Sequence, residues 1–360
     1  MTMARAHLVD VEVTRWYHCI TRCVRRAFLL SEGPLNRKQW IENRLKELAE
    51  IFAITVGGFS VMDNHLHVLV RLDPEVGGGW SDEDVVRRWG RLFPPRDKLR
   101  HPLPVTREWV EWRLKDARWV AAIRARLQSL SWFMKCLKEP LSRLANRQDQ
   151  VRGAFFEQRF KSVAVLDEEA LLATCAYIDL NPVAAGVVEV PEASPHTSVT
   201  TRVEHVKSLG RTGDLKAAEQ GSVAVRQAHD GAVRQAHDKG GSAASAGLEE
   251  TIWLCPIEDR RRLDSSREGM LEGLSLGSYL LVIDYTGRLF REGKAAISAE
   301  VVGILHRIGI SLEDWHARLE RLRRGRLLGR FIAGSRARLR EVAARLRVHH
   351  LANLGGCPAR

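Results

Sequence analysis

Two histidines separated by one residue, His65-Leu66-His67, stand in a run of alternating residues, VMDNHLHVLV. On a strand, residues two apart share a face and lie roughly 6.5 Å apart along the axis. Both imidazoles can therefore turn to one cation while Leu66, Val68 and Val70 point to a core behind. Imidazole suits several divalent metals and leaves positions for oxygens of substrate and water. Taken alone, the pair reads also as two partly exposed strand histidines. A second element is AYIDLNP at 176–182, where Thr174, Tyr177 and Asn181 are spaced i, i+3 and i+7 along one helix face, with Leu171, Leu172, Cys175 and Ile178 on the apolar side. Tyr177 reads either as a half-buried core tyrosine or as a nucleophile. In the second case its phenolic oxygen approaches a metal-bound phosphate while the Asn181 amide oxygen completes the coordination. Between these elements, alternation puts Glu157, Arg159 and Lys161 on one face. The two cations there can hold phosphates, or the face is simply solvated.

The elements that must position these residues are legible in outline. Residues 13–30 start as an alternating strand and turn basic, with Arg15, Arg22, Arg25 and Arg26. A helix is predicted over 37–53, with Trp40, Leu45, Leu48 and Phe52 at helical spacing. A strand over roughly 54–72 is interrupted at Met62-Asp63-Asn64. Residues 73–140 read as a helical insertion, with Ser81 as an N-cap and a long helix from about 107 ending before Pro140. The insertion carries six of the ten tryptophans (Trp80, Trp89, Trp109, Trp112, Trp119 and Trp132), read as core in preference to base-stacking residues. A short helix follows at 141–147, then a hairpin or strand pair at 154–166. Asp167 caps a helix to about 180, stopped by Asn181-Pro182.

A composition shift marks residues 204–248, rich in Gly, Ala and Ser, with AVRQAHD at 224–230 and again at 232–238. No hydrophobic periodicity holds there, so it reads as a flexible linker. Residues 299–322 read as two helices broken at Gly309, the second started by a capping box of Ser311 and Asp314. Residues 318–347 hold eleven arginines against two glutamates. Arg323, Arg324, Arg326, Arg330, Arg336 and Arg338 are taken from this run as a phosphate-contacting surface.

Over all 360 residues, 56 Lys and Arg against 44 Asp and Glu leave a charge of +12, which favours polyanionic partners, nucleic acid first. No apolar run reaches the roughly 18 residues of a membrane helix, and the first residues lack a secretory h-region. A cytoplasmic, nucleoid-associated protein without membrane contact is therefore expected. The six cysteines are scattered with no second close pair beside Cys19 and Cys23, so they read as small buried residues and not as a zinc site.

Four segments in order, YHCITRCVRRAF, VMDNHLHVLV, GAFFEQRFKSVAVLDEEALL and AYIDLNPVAAGVV, resemble the REP-associated tyrosine transposases, part of the wider single-tyrosine HUH transposases. The resemblance covers about residues 10–200, and the insertion and C-terminal region exceed the compact form of the family. It implies an α+β fold: a ferredoxin-like antiparallel sheet core with packed helices, a helical insertion (about 73–140) and a mainly helical C-terminal domain. The implied division is a catalytic domain at 1–200, a linker at 201–249 and an Arg-rich DNA-binding domain at 250–360. It also implies that His65 and His67 bind Mg2+ or Mn2+, with Asn181 as candidate third ligand. Tyr177 would attack single-stranded or hairpin DNA from a palindromic repeat, leaving a 5′-phosphotyrosine and a 3′-hydroxyl. Arg22, Arg25, Arg26, Arg159 and Lys161 join the C-terminal arginines as DNA contacts. A homodimer and a single active subunit both remain open. The alternatives are a domesticated DNA-binding protein of the same fold that no longer cleaves, and a metal-dependent hydrolase of another substrate.

Overall fold

Alternating residues in Trp16–Arg22 give β1, and the apolar runs Ile54–Val61 and His65–Leu72 give β2 and β3. In the computed structural model β2 and β3 form a hairpin closed by Met62 N donating to His65 O at 2.9 Å. The structure describes residues 9–31, 36–215, 247–261, 267–292, 299–307, 310–323, 332–334 and 336–345. With β4 (Lys161–Val165) the strands form an antiparallel sheet in the order β2-β3-β1-β4, and Ile332–Ala333 adds a short parallel strand outside β4. Helix α1 (Arg37–Ile51), N-capped by Asn36, links β1 to β2 and buries Ile41, Leu45, Leu48 and Ile51. The chain thus follows the β-α-β-β-α-β plan of a ferredoxin-like core, an α+β fold as the sequence predicts.

The hairpin needs a close approach at Gly57. The β2–β3 register shifts between Val56 and Gly58, and a Cβ on Gly57 would lie 2.7 Å from the Trp16 ring. Only glycine lets the bulged strand sit this close to β1's first aromatic.

The insertion supplies α2 (Pro74–Gly79), α3 (Asp82–Leu92), α4 (Arg107–Leu114), α5 (Ala117–Leu127) and α6 (Leu130–Gln148). Ser81 caps α3 in a full capping box with Asp84. The long helical stretch expected from about 107 divides into α4, α5 and α6, and the predicted stop before Pro140 is corrected: α6 runs straight through it into the expected short helix. Proline withholds the donor that the Cys136 carbonyl would use, and Arg44 Nε supplies one instead at 3.2 Å. Burial of Phe133, Met134, Leu137 and Leu141, at roughly 1.5–3 kcal/mol each, outweighs the ~3 kcal/mol cost of an interior proline. Trp89 is buried and Trp80, Trp109, Trp119 and Trp132 pack on the core, whereas Trp112 is 57% exposed beneath the Arg113 guanidinium.

The strand pair expected at 154–166 is also corrected. Only Lys161–Val165 is a strand, and it pairs with β1; upstream, Phe156 makes a single bridge to Cys23. Phe155, Phe156 and Phe160 are buried, so this segment spends its apolar residues on the core and not on a partner strand. Asp167 caps α7 (Glu168–Asp179) by accepting from Ala170 N, and Asn181-Pro182 opens a new short helix, α8 (Asn181–Ala184).

Helix α9 (Ser198–Ser208) runs through position 201, where the sequence reading opens its linker; residues 216–246, with the tandem repeat, lie outside the described residues. Arg202 is 1% exposed, paired with Glu249 and donating to the carbonyls of Gly57 (2.9 Å) and Cys255 (2.7 Å). It ties α9, the β2 bulge and the 247–257 segment together. Arg202→Met should lower unfolding free energy by about 3–5 kcal/mol, because it leaves Glu249 buried without its cation; a urea midpoint unchanged from wild type would remove this role.

From 247 onward the described chain shares one core with the sheet. Tyr279, Leu305 and Trp315 cluster with Leu69, Val163 and Leu172. Helices Ala299–Arg307 and Leu312–Arg323 match the predicted pair, with Ser311 Oγ accepting from Asp314 N at 3.0 Å; Gly309 itself lies outside the described residues. Among the described residues Cys19, Cys23, Cys136, Cys175 and Cys255 are buried, and no helix is long and apolar enough to cross a membrane.

Candidate active site

The antiparallel register puts Arg22 opposite His65, Ile20 opposite His67 and His18 opposite Leu69. Paired residues share a face, so His18, Ile20, Arg22, His65 and His67 stand on one side of the sheet. Lys161, opposite Ile20 on β4, joins them. Helix α7 packs over this face and sets Tyr177 against the histidines. Its ring centre lies 5.3 Å from that of His67 and 6.1 Å from that of His18, each edge to face. Asn181, at the start of α8, reaches both strand histidines: Oδ1 is 3.2 Å from His65 Nε2, and Nδ2 is 3.5 Å from His67 Nε2. Tyr177, His65, His67 and Asn181, four residues singled out by spacing, thus meet at one point. Thr174 does not join them; it is buried and donates to the Ala170 carbonyl at 2.6 Å.

A chain of hydrogen bonds orients the two imidazoles. Asn64 Nδ2 donates to the Arg26 carbonyl at 3.1 Å, which turns Asn64 Oδ1 to His65 Nδ1 at 2.6 Å. A neutral His65 then carries its proton on Nδ1 and keeps a lone pair on Nε2. On the other ring, Asn181 Nδ2 faces His67 Nε2, so His67 carries its proton on Nδ1 and donates it to His18 Nε2 at 2.9 Å. Both Nε2 lone pairs therefore point at the space beside Asn181. His65 Nε2 and Asn181 Oδ1 are two acceptors facing each other, an arrangement that a cation between them resolves. Their 3.2 Å separation is close to the about 3 Å between adjacent ligands of an octahedral ion bound at about 2.1 Å. Among the described residues no group of three or more His, Cys, Asp or Glu side chains could hold a metal by itself. Two imidazoles and an amide oxygen fit a divalent ion whose other positions belong to substrate and water.

His18 carries no signal in the sequence beyond its place in an alternating strand, yet it is fully buried and holds the His67 ring. Its own Nδ1 is buried with no hydrogen-bond partner, as is Ser60 Oγ opposite His67. Asp179 is the other residue that spacing alone does not reveal. It is 2% exposed and accepts from Ser198 Oγ (2.5 Å), Val199 N (3.0 Å) and Tyr279 Oη (2.6 Å), which locks the end of α7 two residues from Tyr177.

Burial drives His18 from its ordinary 6.5 down to about 3 and His65 to about 4. Burial and the neighbouring His18, His65 and Arg22 hold His67 well below 6.5. All three are therefore neutral, as metal ligands and their partners must be. The unfolded chain takes up these protons below about 6.5 and the folded chain does not. Stability is thus full above that pH and falls on acidification through the 6.5-to-3 window. His18 alone should cost about 2 kcal/mol at about pH 5. Urea unfolding in chelator at several pH values checks this, and a flat profile between neutrality and pH 5 would contradict it. Burial also raises the Tyr177 hydroxyl above 10, opposed by Arg22 and by a hydrogen bond with Asn181.

The remaining basic residues differ in placement. Arg22 is half-buried at the site; Arg159 and Lys161 are exposed beside it. Arg25 and Arg26 are exposed just beyond β1, both at φ 56°, a left-handed conformation uncommon outside glycine. Arg323 ends one helix and Arg336 begins another. Arg338 is ion-paired with Glu341. Arg324, Arg326 and Arg330 lie outside the described residues.

No protein-family model matches the chain, and no curated protein does. Among solved structures, a REP-associated tyrosine transposase bound to a REP hairpin is similar over 52% of this chain and 78% of that one, at 12% identity and a TM-score of 0.31. A likeness that loose carries no argument about what this chain does.

Proposed function

We propose that this chain is a transposase-type enzyme that nicks and rejoins single-stranded or hairpin DNA, with Tyr177 as nucleophile and a divalent ion, Mg2+ or Mn2+, held by His65, His67 and Asn181. The observation that carries the reading is the convergence of two Nε2 lone pairs and the Asn181 oxygen beside a tyrosine packed on His67. A bound divalent ion would supply Lewis-acid stabilisation of charge on the scissile phosphate. The chain's own residues do the rest. Arg22 adds positive charge beside Tyr177 and the phosphate. Asn181 holds the Tyr177 hydroxyl by a hydrogen bond. Attack of the Tyr177 oxygen on phosphorus forms the tyrosyl–phosphate bond and breaks the bond to the 3′ oxygen. The tyrosine proton passes to solvent and the departing 3′ oxygen takes one up from solvent, so the strand leaves with a 3′-hydroxyl. Reversal by a 3′-hydroxyl rejoins the DNA without ATP, because one phosphodiester has been exchanged for another.

The experiment is a denaturing gel of labelled hairpin DNA, taken from beside the gene, incubated with the chain and Mn2+. A protein–DNA adduct that disappears with chelator supports the proposal. Tight binding without adduct, across several hairpins and metals, would favour the domesticated binding protein instead. DNA affinity that shows no steep dependence on salt would point to a hydrolase of another substrate.

A further inference from the structure

The helix that carries Tyr177 ends on a residue that stability alone disfavours. Asp179 is the last residue of α7, where a carboxylate meets the negative end of the helix dipole. It is also 2% exposed, and burial, which opposes ionisation, raises its pKa above the ordinary carboxylate value. Arg202, the cation one turn along α9, is committed to Glu249 and to the carbonyls of Gly57 and Cys255. What the carboxylate gains is direction, because its two oxygens serve two different elements. Oδ1 accepts from Ser198 Oγ and Val199 N in the first turn of α9. Oδ2 accepts from Tyr279 Oη at 2.6 Å, a residue 100 positions further along the chain. Tyr279 is fully buried on α10 (Leu276–Glu292). Two turns on, Gly287 brings α10 close to the residue after Asp179: a Cβ there would lie 3.2 Å from a Leu180 methyl. The end of α7 thus meets α10 at two points, and Tyr177 packs on the same apolar core as Tyr279.

We infer that Tyr279 is a positioning residue for Tyr177: through Asp179, α10 sets where the phenolic oxygen meets the scissile phosphate. The inference rests on the DNA-cleaving reading above. It gives residues 276–292 a part in catalysis, where the sequence reading gives the region beyond 250 only DNA binding. Apolar contact is not directional, so packing by itself lets a helix end slide or turn. Hydrogen bonds weaken steeply away from their preferred angles, and three of them from two helices hold the end of α7 in place. In-line attack needs the reacting atoms about 3–3.5 Å apart, and a misplacement of about 1 Å can cost about 100-fold.

The test is single-turnover adduct formation by the full chain with saturating labelled hairpin DNA and Mn2+, reading rate and yield separately. Tyr279→Phe should slow the adduct about tenfold with hairpin and Mn2+ affinities unchanged. A purely structural role would lower the yield by unfolding part of the protein and leave the rate of the folded remainder unchanged. Asp179→Asn keeps an oxygen for Ser198 and Val199 and offers its amide to Tyr279. It should therefore recover most of the rate lost in Asp179→Ala. Gly287→Ala, which presses α10 on Leu180 without removing a hydrogen bond, should slow the adduct about threefold. In metal-free protein, amide exchange over residues 176–180 should rise about tenfold in Tyr279→Phe. Wild-type rates in both Tyr279→Phe and Gly287→Ala overturn the assignment, as does an Asp179→Asn as slow as Asp179→Ala. A rate that falls only in step with hairpin or Mn2+ affinity overturns it too. Absence of any adduct from the wild type overturns the DNA-cleaving reading and this assignment together.

Discussion

Tyr177→Phe is expected to abolish the covalent protein–DNA adduct while changing hairpin affinity by about twofold or less, because phosphate contacts dominate affinity for DNA. The substitution removes one oxygen. The ring keeps its edge-to-face contacts with His67 and His18, so the packing of α7 on the sheet survives. Thermal midpoints of the two proteins should agree closely. What is lost is the atom proposed to attack phosphorus. A buried hydroxyl with a raised pKa is a weak nucleophile at neutral pH, and its contribution appears only when nearby positive charge stabilises the oxyanion and the phosphate. Adduct yield should accordingly rise with pH in the wild type, since deprotonation of a group above 10 becomes less costly as pH rises. An active Tyr177→Phe would place the nucleophile elsewhere and remove the central claim about this site.

His67→Ala should weaken Mn2+ binding by more than about 100-fold, and His18→Ala by about 10–100-fold, the range for residues that orient a ligand without touching the metal. The two substitutions separate a donor from its support. His67 offers Nε2 beside Asn181; His18 accepts the proton of Nδ1 at 2.9 Å and so holds both the ring plane and the tautomer. His18→Gln, which returns a carbonyl acceptor, should recover part of the loss. Calorimetric titration with Mn2+ in the absence of DNA reads this directly, independent of cleavage. His18 and His67 are both buried, so each variant needs an unfolding curve beside its titration. If His67→Ala binds Mn2+ as the wild type does, the assignment of the ligands is wrong. If only His18→Ala does, its orienting role alone is lost.

Much of this site is legible before folding because its parts are local. The period of two in HLHVLV places His65 and His67 on one face. Asp167 starts α7 and Asn181-Pro182 ends its register, so Tyr177 and Asn181 fall on one side of a turn. The α+β character follows from the same patterns. Pro140 shows where local reasoning stops: the helix continues through it because Arg44, nearly a hundred residues away in sequence, satisfies the Cys136 carbonyl. The Phe155–Phe160 segment shows it again, since its aromatic residues are drawn into a core that spacing cannot locate.

The sequence by itself determined which residues can do chemistry: two imidazoles on one strand face, a tyrosine near an amide, and an excess of cations. Only the tertiary structure decided how they are aimed. His18 becomes a partner of His67 because β1 pairs antiparallel to β3 in one register, and a slip of one residue would turn it to the opposite face. Asn64 and His18 determine which imidazole nitrogens carry protons, and Asp179 holds α7 against the sheet. Strand register and hydrogen-bond direction depend on residues far apart in the chain. They exist only once the sheet has closed and its buried donors have found acceptors.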